Sequence, residues 1–376
     1  MGAEAVLVGV GEAPYTRHPP AGATTLGVLA DAARRALDDA GLEPAQVDGL
    51  GVASFSLAPD HAIDVAWRLG LHVRWLMDAH TGGAAALDLL QHARRAVESG
   101  EASTILLLAG DVLRPDGFRE LVDGFNSAAR DHLAPLPAGG PNALFALVTR
   151  RQMLAHGLGR EVYGRLVVAQ RTWAARNPGA VYRGPLTLEE YLREPLVADP
   201  LCRLDCVPLV AGADAVVVAA DGAGVSVRAL AAAHNVDDQE SDGLRTGLAD
   251  VASRLWAEAG AGPEDVDVAS VYDDYPAMVL AQLADLGFAA DGNLARLAGL
   301  VAGGRWAVNT SGGQLSAGQA GAAGGMHGLV EVVRQLRGGA EVRQVEGARL
   351  GLVTGYGMVA YRYGACANAA VLEAST

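Results

Sequence analysis

Apolar residues run almost unbroken from Ala5 to Val10 and stop at Gly11, the pattern of a short strand buried on both faces. From Thr25 to Ala40 the period changes. Leu26, Leu29, Ala33 and Leu37 fall on one stripe, Thr24 or Thr25 can cap the start, and Gly41 follows the end, which predicts an amphipathic helix. Val47 to Ser54 reads as a second strand, Gly83 to Gly100 as a glycine-opened helix, and Ser103 to Ala109 as another strand. Short apolar strands alternating with helices predict a layered α/β fold.

Between residues 111 and 204 this alternation lapses. Gly, Pro, Arg and Asn accumulate, and the helical patterns near Ala143 to His156 and Val162 to Ala175 are amphipathic, as in an insertion lying over a core. Ala213 to Ala219 then reads as a buried strand, and Gly224 to Ala233 opens a new series. That series has a helix from about Asp242 to Ala259, a strand at Val266 to Val271, a glycine loop and helix over 309–336, and a strand at Gly351 to Thr354. The second series repeats the element order of the first, so an internal duplication is expected. Its halves are 1–222, with the insertion, and 223–376.

Composition narrows the function. Of 376 residues 51% are hydrophobic and 19% charged, enough for a large core, and the net charge of -14 argues against nucleic acid and anionic membrane surfaces. No apolar run approaches the roughly 18 to 20 residues of a membrane helix, and no basic residue precedes the first apolar stretch as in a signal peptide. A cytoplasmic setting is expected. Cys202, Cys206 and Cys366 are too few and too scattered for a disulfide scaffold or a zinc site, and packing is the expected role of the first two. Gly9 to Glu12 falls short of a dinucleotide fingerprint. No metal or redox cofactor is expected.

The richest segment is Asn309-Thr-Ser-Gly-Gly-Gln-Leu-Ser-Ala-Gly-Gln-Ala-Gly-Ala-Ala-Gly-Gly325, followed by an apolar helix from Met326 to Leu336 and Arg337-Gly338. It resembles the active-site loop of thiolases of the sterol-carrier-protein-x type. Further pieces match in order: Val8-Gly-Val-Gly-Glu, Asp39-Ala-Gly-Leu, Val47-Asp-Gly-Leu, and the stretch from Ala175-Arg-Asn-Pro-Gly-Ala through Leu186-Thr-Leu-Glu-Glu-Tyr-Leu to Ala198-Asp-Pro-Leu-Cys-Arg-Leu-Asp-Cys206. The resemblance implies a thiolase fold, duplicated αβαβα halves forming a five-layered core with a loop-domain insertion, and a homodimer.

Three departures bear on chemistry. Where the family places its nucleophilic cysteine, near Asp78-Ala-His-Thr-Gly-Gly83, there is none, and His80 stands at or beside the position. Near the family's second cysteine the chain offers Val353-Thr-Gly-Tyr-Gly357, and Gln319 stands for the histidine of the loop. Without a low-pKa sulfur, ordinary thiolysis is not expected. Val271-Tyr-Asp-Asp-Tyr-Pro276 occupies the place of a His-Asp-Cys-Phe turn, so Tyr272 and Asp273 are pocket candidates; the competing reading packs Tyr275 against the following helix with carboxylates capping it. Tyr356, Tyr361 and Tyr363 crowd the C-terminal segment, where one could serve as general base and the others face solvent or an interface. His80 at a helix start could donate to a thioester oxygen or make a structural bond. Asn309, Ser311, Gly312, Gly313 and Gln319 are candidate substrate contacts, and His327 reads as packing.

Cysteine-free relatives with pocket tyrosines include the aldolases that shorten steroid side chains. That resemblance implies a retro-aldol lyase acting on a β-hydroxyacyl-CoA, with coenzyme A part of the substrate and no cofactor. It also implies a small partner chain combining an OB-fold with a zinc-ribbon-like element. Two other readings stay open: a silent subunit partnering an active thiolase, and an acyltransferase working without a covalent intermediate.

Overall fold

The computed structural model describes residues 4–57, 59–123, 131, 140–234, 244–360 and 363–375. The chain begins with β1 (Val6–Thr16) and α1 (Thr25–Ala40), whose ends follow the sequence signals closely. Thr24 Oγ1 accepts the N–H of Gly27, and Gly41 closes the helix in the left-handed conformation at φ 66°. Leu29, Ala32, Ala33, Ala36 and Leu37 are buried along one side, and each leucine contributes about 1.5–3 kcal/mol by leaving water.

Next come β2 (Gly49–Ala53), α2 (His61–Arg68), β3 (Trp75–Asp78), α3 (Ala85–Glu98) and β4 (Thr104–Asp111). The insertion contributes α4 (Pro115–Asp123), α5 (Gly140–His156), α6 (Arg160–Ala174), α7 (Leu188–Arg193) and the two-stranded ladder β5 (Leu196–Ala198) with β6 (Leu201–Cys202). After β7 (Ala211–Ala219), the second series holds β8 (Val225–His234), α8 (Leu248–Ala259), β9 (Val268–Ser270), α9 (Pro276–Asp285), α10 (Leu294–Ala302) and β10 (Ala307–Val308). It ends with α11 (Gly313–Ala317), α12 (Gly324–Leu336), β11 (Leu350–Ala360) and β12 (Tyr363–Ala374). Neither α2 and β3 nor α10 is read from the sequence as an element, because each is too short, at 8, 4 and 9 residues, to establish a period by itself.

The strands form one ladder in the order β10-β9-β11-β12-β8-β1-β7-β4-β2-β3. From the middle outward, each side reads first, fifth, fourth, second and third strand of its own series. The pairing signs match as well: β2 is parallel to β3 and β4, as β9 is to β10 and β11, while the remaining pairs are antiparallel. The halves meet where β1 pairs with β8 through Val6 and Leu7.

Strand alternation sets the layers. In β7, Ala213, Ala215, Val217 and Ala219 share a cluster with α1, whereas Val216 and Val218 face a second cluster built from α3 and α12. In β12, Ala370 and Leu372 join that same central cluster, and Ala367, Ala369 and Val371 turn toward α8 and α9. The packing sequence is therefore α1, first half-sheet, α3 with α12, second half-sheet, α8, which is the five-layered order. Between β4 and β7, α6 lies against α10 and α11, bringing the insertion over the mouth of the second half.

Candidate active site

Several close approaches converge on the turn Gly82–Ala84 that leads into α3. A Cβ on Gly83 would lie 2.2 Å from Cε2 of Tyr272, so the phenol ring rests directly on this backbone. Gly357 of β11 and Gly325 of α12 press on the same turn, where added Cβ atoms would meet Thr81 O at 2.1 Å and Gly83 O at 2.2 Å. The N-termini of α3 and α12 thus both border the phenol, and their unpaired N–H groups favour negative charge there.

Tyr272 leaves the end of β9. Its N–H donates to Thr354 Oγ1 at 2.9 Å, Thr354 donates to Gln282 Oε1 at 2.7 Å, and Gln282 Nε2 returns to Tyr272 O at 2.7 Å. This loop of bonds fixes the residue's backbone. The phenol oxygen accepts from Gln319 Nε2 at 3.0 Å, and the same amide nitrogen donates to Gln314 Oε1 at 2.9 Å. Burial pushes the phenol well above its ordinary range, with Asp274 and Asp273 adding to the rise and Gln319 opposing it. At neutral pH Tyr272 is a protonated phenol.

Asp273 is buried and accepts from Gln170 Nε2 at 2.9 Å, Gln314 N at 2.9 Å and Leu315 N at 3.3 Å. Desolvation nevertheless raises its pKa to about 7. Gly313, at φ 61°, leaves room for this carboxylate: a Cβ there would fall 2.1 Å from Oδ2. Asp274 does not cap α9. Its Oδ1 accepts from Tyr275 N, and Tyr275 itself occupies the cap position ahead of Pro276, since proline needs no N–H partner there. The Tyr275 ring stacks on Phe145 with centroids 4.1 Å apart and donates to Asn142 Oδ1 at 2.6 Å, so it packs against the insertion instead of its own helix.

Asn309 accepts the N–H of Val271 at 2.8 Å, while its own Nδ2 is buried with no partner. Ser311 Oγ lies 2.8 Å from His327 Nε2 and accepts from Gly313 N at 3.2 Å; Gly312 closes the turn by donating to Asn309 O. His327, read from the sequence as packing, is a hydrogen-bonded wall residue. Together with Tyr272, Asp273, Gly313, Gln314, Gly324, Gly325 and Thr354 it lines a small cavity that holds about one water. Gln314 Nε2 is another buried, unpartnered donor in this wall. No sequence signal marked Gln314, Gln170 or Gln282, because an uncharged amide acquires a role only from its neighbours.

Tyr356 is buried in the same apolar cluster as Tyr272, on the β11 face that also carries Leu350 and Leu352. Tyr361 and the side chain of Tyr363 lie outside the described residues. His80 is exposed and turns its ring edge-on to His61, centroids 5.1 Å apart, instead of joining the Tyr272 wall. Cys202 sits under α7 and Cys206 packs against the cluster that holds Tyr275; burial raises their thiols to about 11 and about 12, so neither offers a thiolate.

Over 94% of its length this chain is 34% identical to the 17-hydroxy-3-oxo-4-pregnene-20-carboxyl-CoA lyase of Mycobacterium tuberculosis, covering 96% of that protein. The chain belongs to the thiolase superfamily. The thiolase C-terminal domain-like family matches residues 229–368. Within the superfamily the chain groups with sterol-carrier-protein-like aldolases. It is 32% identical to the steroid side-chain-cleaving aldolase of Thermomonospora curvata, over 89% of this chain and 90% of that one. The solved Ltp2-ChsH2(DUF35) aldolase superposes with a TM-score of 0.83 at 29% identity, covering 99% of this chain and 98% of that chain. These relatives make the protein an enzyme of the carbon–carbon lyase class.

Proposed function

We propose that this enzyme is a retro-aldol lyase that cleaves the Cα–Cβ bond of a β-hydroxyacyl-CoA with a bulky, steroid-like acyl part. The observation that carries the proposal is the buried Tyr272 phenol, clamped by Gln319 on the Gly83 turn, in a pocket with no thiolate beside it. All 29 basic side chains counted as Lys or Arg are arginine, so a lysine imine is not available to this chain either.

In the proposed reaction the minor tyrosinate form of a second tyrosine takes the β-hydroxyl proton as the Cα–Cβ bond breaks. The bond's electron pair enters the thioester enolate, the hydroxyl-bearing carbon leaves as a ketone, and a phenol returns a proton to Cα. Tyr272 suits the second role because burial holds it protonated. Tyr356, on the neighbouring strand of the same cluster, is the proposed base, and proton return from Tyr356 to Tyr272 resets the site. The unpartnered Gln314 Nε2 donates to the enolate oxygen, and Asn309 Nδ2 is a second donor of the same kind. Asp273 orders Gln314 and Gln170 around the phenol. Ser311, Gly312 and Gly313 shape the wall, and Gln319 sets the phenol's position. A water-sized cavity admits a reacting centre only as the wall opens, so substrate entry and opening are coupled.

Coenzyme A enters as part of the substrate and no further cofactor is required by these steps. The likeness to the Ltp2-ChsH2(DUF35) aldolase supports a small OB-fold partner that presents the acyl-CoA. A homodimer is proposed through the edge strand β3 and α2, where Leu76, Ile63 and Trp67 are exposed. Among the described residues no helix is long and apolar enough to cross a membrane.

The test is incubation of the chain and its partner with a β-hydroxyacyl-CoA, followed by mass spectrometry. Equimolar ketone and shortened acyl-CoA are expected, with no acyl group on the protein. Intact substrate, or a covalent acyl-enzyme, overturns the proposal; the first outcome also revives the silent-subunit reading.

A further inference from the structure

We propose that His61, Asp78 and His80 form a binding site for a divalent transition-metal ion of the zinc type on the surface of the first half. The three come from different places in the chain: His61 opens α2, Asp78 ends β3, and His80 lies just before the turn that starts α3. Each offers one ligand atom, and all three atoms lie within 4.8 Å of one another. Tetrahedral zinc with bonds of about 2.0–2.1 Å holds its ligands about 3.4 Å apart, so small rotamer changes close the set.

Other features favour an ion over a simple surface cluster. Among the described residues, none of the three hydrogen-bonds to another, although donors and acceptors are gathered together. Asp78 Oδ1 is held by Ala62 N at 3.0 Å, which orients the carboxylate as an outer-shell bond does in metal sites. His61 has φ 40°, a conformation disfavoured for histidine, and this conformation accompanies the position facing His80. Among the described residues no Arg pairs with Asp78, and Arg68 of α2 pairs with Asp64 instead. The contrast with Glu12, Asp214 and His327, whose ligand atoms are gathered as closely, is informative. There Arg334 lies 3.4 Å from Glu12 and Tyr15 donates to Asp214 at 2.6 Å, so a guanidinium already supplies the positive charge.

Two imidazoles and one carboxylate form a set of intermediate softness that binds Zn²⁺, Ni²⁺, Co²⁺ or Cu²⁺ and disfavours Mg²⁺ and Ca²⁺. His80 and Asp78 are exposed in the single chain, beside the β3–α2 face proposed for the homodimer, so a fourth position is open to water or to a side chain of the second copy. The location gives the ion a structural consequence. Residues 78–84 run from the ligands to Gly83, the backbone on which Tyr272 rests, and an ion would anchor the outer end of that support.

The experiment is calorimetric titration of chelator-treated full chain with Zn²⁺, with Mg²⁺ as the comparison ion and thermal unfolding as a second readout. One Zn²⁺ per chain, a higher Tm with Zn²⁺, and no response to Mg²⁺ are expected. His61→Ala and His80→Ala should each weaken binding at least tenfold and abolish the rise in Tm, whereas His156→Ala, an exposed histidine elsewhere, should bind as the parent does. Asp78→Asn, which still accepts from Ala62, replaces any alanine variant that does not fold, and it should also weaken binding. Absence of saturable Zn²⁺ binding, or binding unchanged in the His80 and Asp78 variants, overturns the site.

Discussion

The side-chain amide of Gln319 donates to the phenol oxygen of Tyr272 at 3.0 Å, where the thiolase resemblance places a histidine in the glycine loop. An amide cannot exchange a proton near neutral pH, but it fixes the phenol and weakens the rise in its pKa. On the proposed mechanism the proton-carrying group of this pocket lies at the end of β9 instead of in the loop.

Removing that group should be costly. Tyr272→Phe keeps the ring on Gly83 and should lower kcat by about 10²- to 10⁴-fold, the usual span for a lost general acid or base. Steady-state ketone release, with an unchanged thermal melt, checks it; kcat within threefold of the parent would exclude Tyr272 from the chemistry.

Gln319→Leu deletes the donor that favours the phenolate, so the Tyr272 pKa rises further. A group acting as acid loses activity as pH rises through its pKa. The alkaline fall of kcat should therefore move to higher pH, with kcat lower by about tenfold, near 1.4 kcal/mol for the lost hydrogen bond. A pH–rate profile on both proteins reads the shift.

Gly83→Ala places a methyl 2.2 Å from the Tyr272 ring and must displace it. Activity should fall at least about a hundredfold through misplacement of the phenol. A crystal structure showing Tyr272 unmoved would contradict the close approach described above.

Asp273 titrates near 7 in the fold against an ordinary value of 3.8. Because the native state holds the proton more tightly, its contribution is fully present below about 4 and is lost as pH rises through 7. Asp273→Asn should remove that slope, so the stability difference between variant and parent, read from urea unfolding, should change by an amount on the order of a few kcal/mol between these limits. Above pH 7 the variant should be the more stable of the two, because the parent then carries a charged carboxylate whose desolvation outweighs its hydrogen bonds.

Behind the loop, Glu331 accepts from Arg343 Nε at 3.0 Å and Nη2 at 2.9 Å, and also from Thr310 Oγ1 at 2.7 Å. Both charges are buried. Arg343→Met strands the carboxylate and should destabilise the chain by about 3–5 kcal/mol by chemical denaturation. Asn309 and Ser311 flank Thr310, so loss of activity should accompany loss of stability.

The sequence by itself determined the layers and the family. The apolar run of β7, the cap and stop of α1, and the glycine loop before α12 are local patterns, and local patterns follow from backbone sterics and burial alone. It also marked Tyr272, Asp273, Asn309, Ser311 and Gln319, since departures from a known motif are visible without coordinates. Only the tertiary structure decided what these residues touch. Gln314 and Gln170 became partners of Asp273, His327 joined the cavity wall, His80 turned to His61, and Tyr275 packed on Phe145 of the insertion. Those relationships link residues from as far apart in the chain as Phe145 and Tyr275, and amides, hydroxyls and imidazoles take their roles from neighbours that only folding supplies.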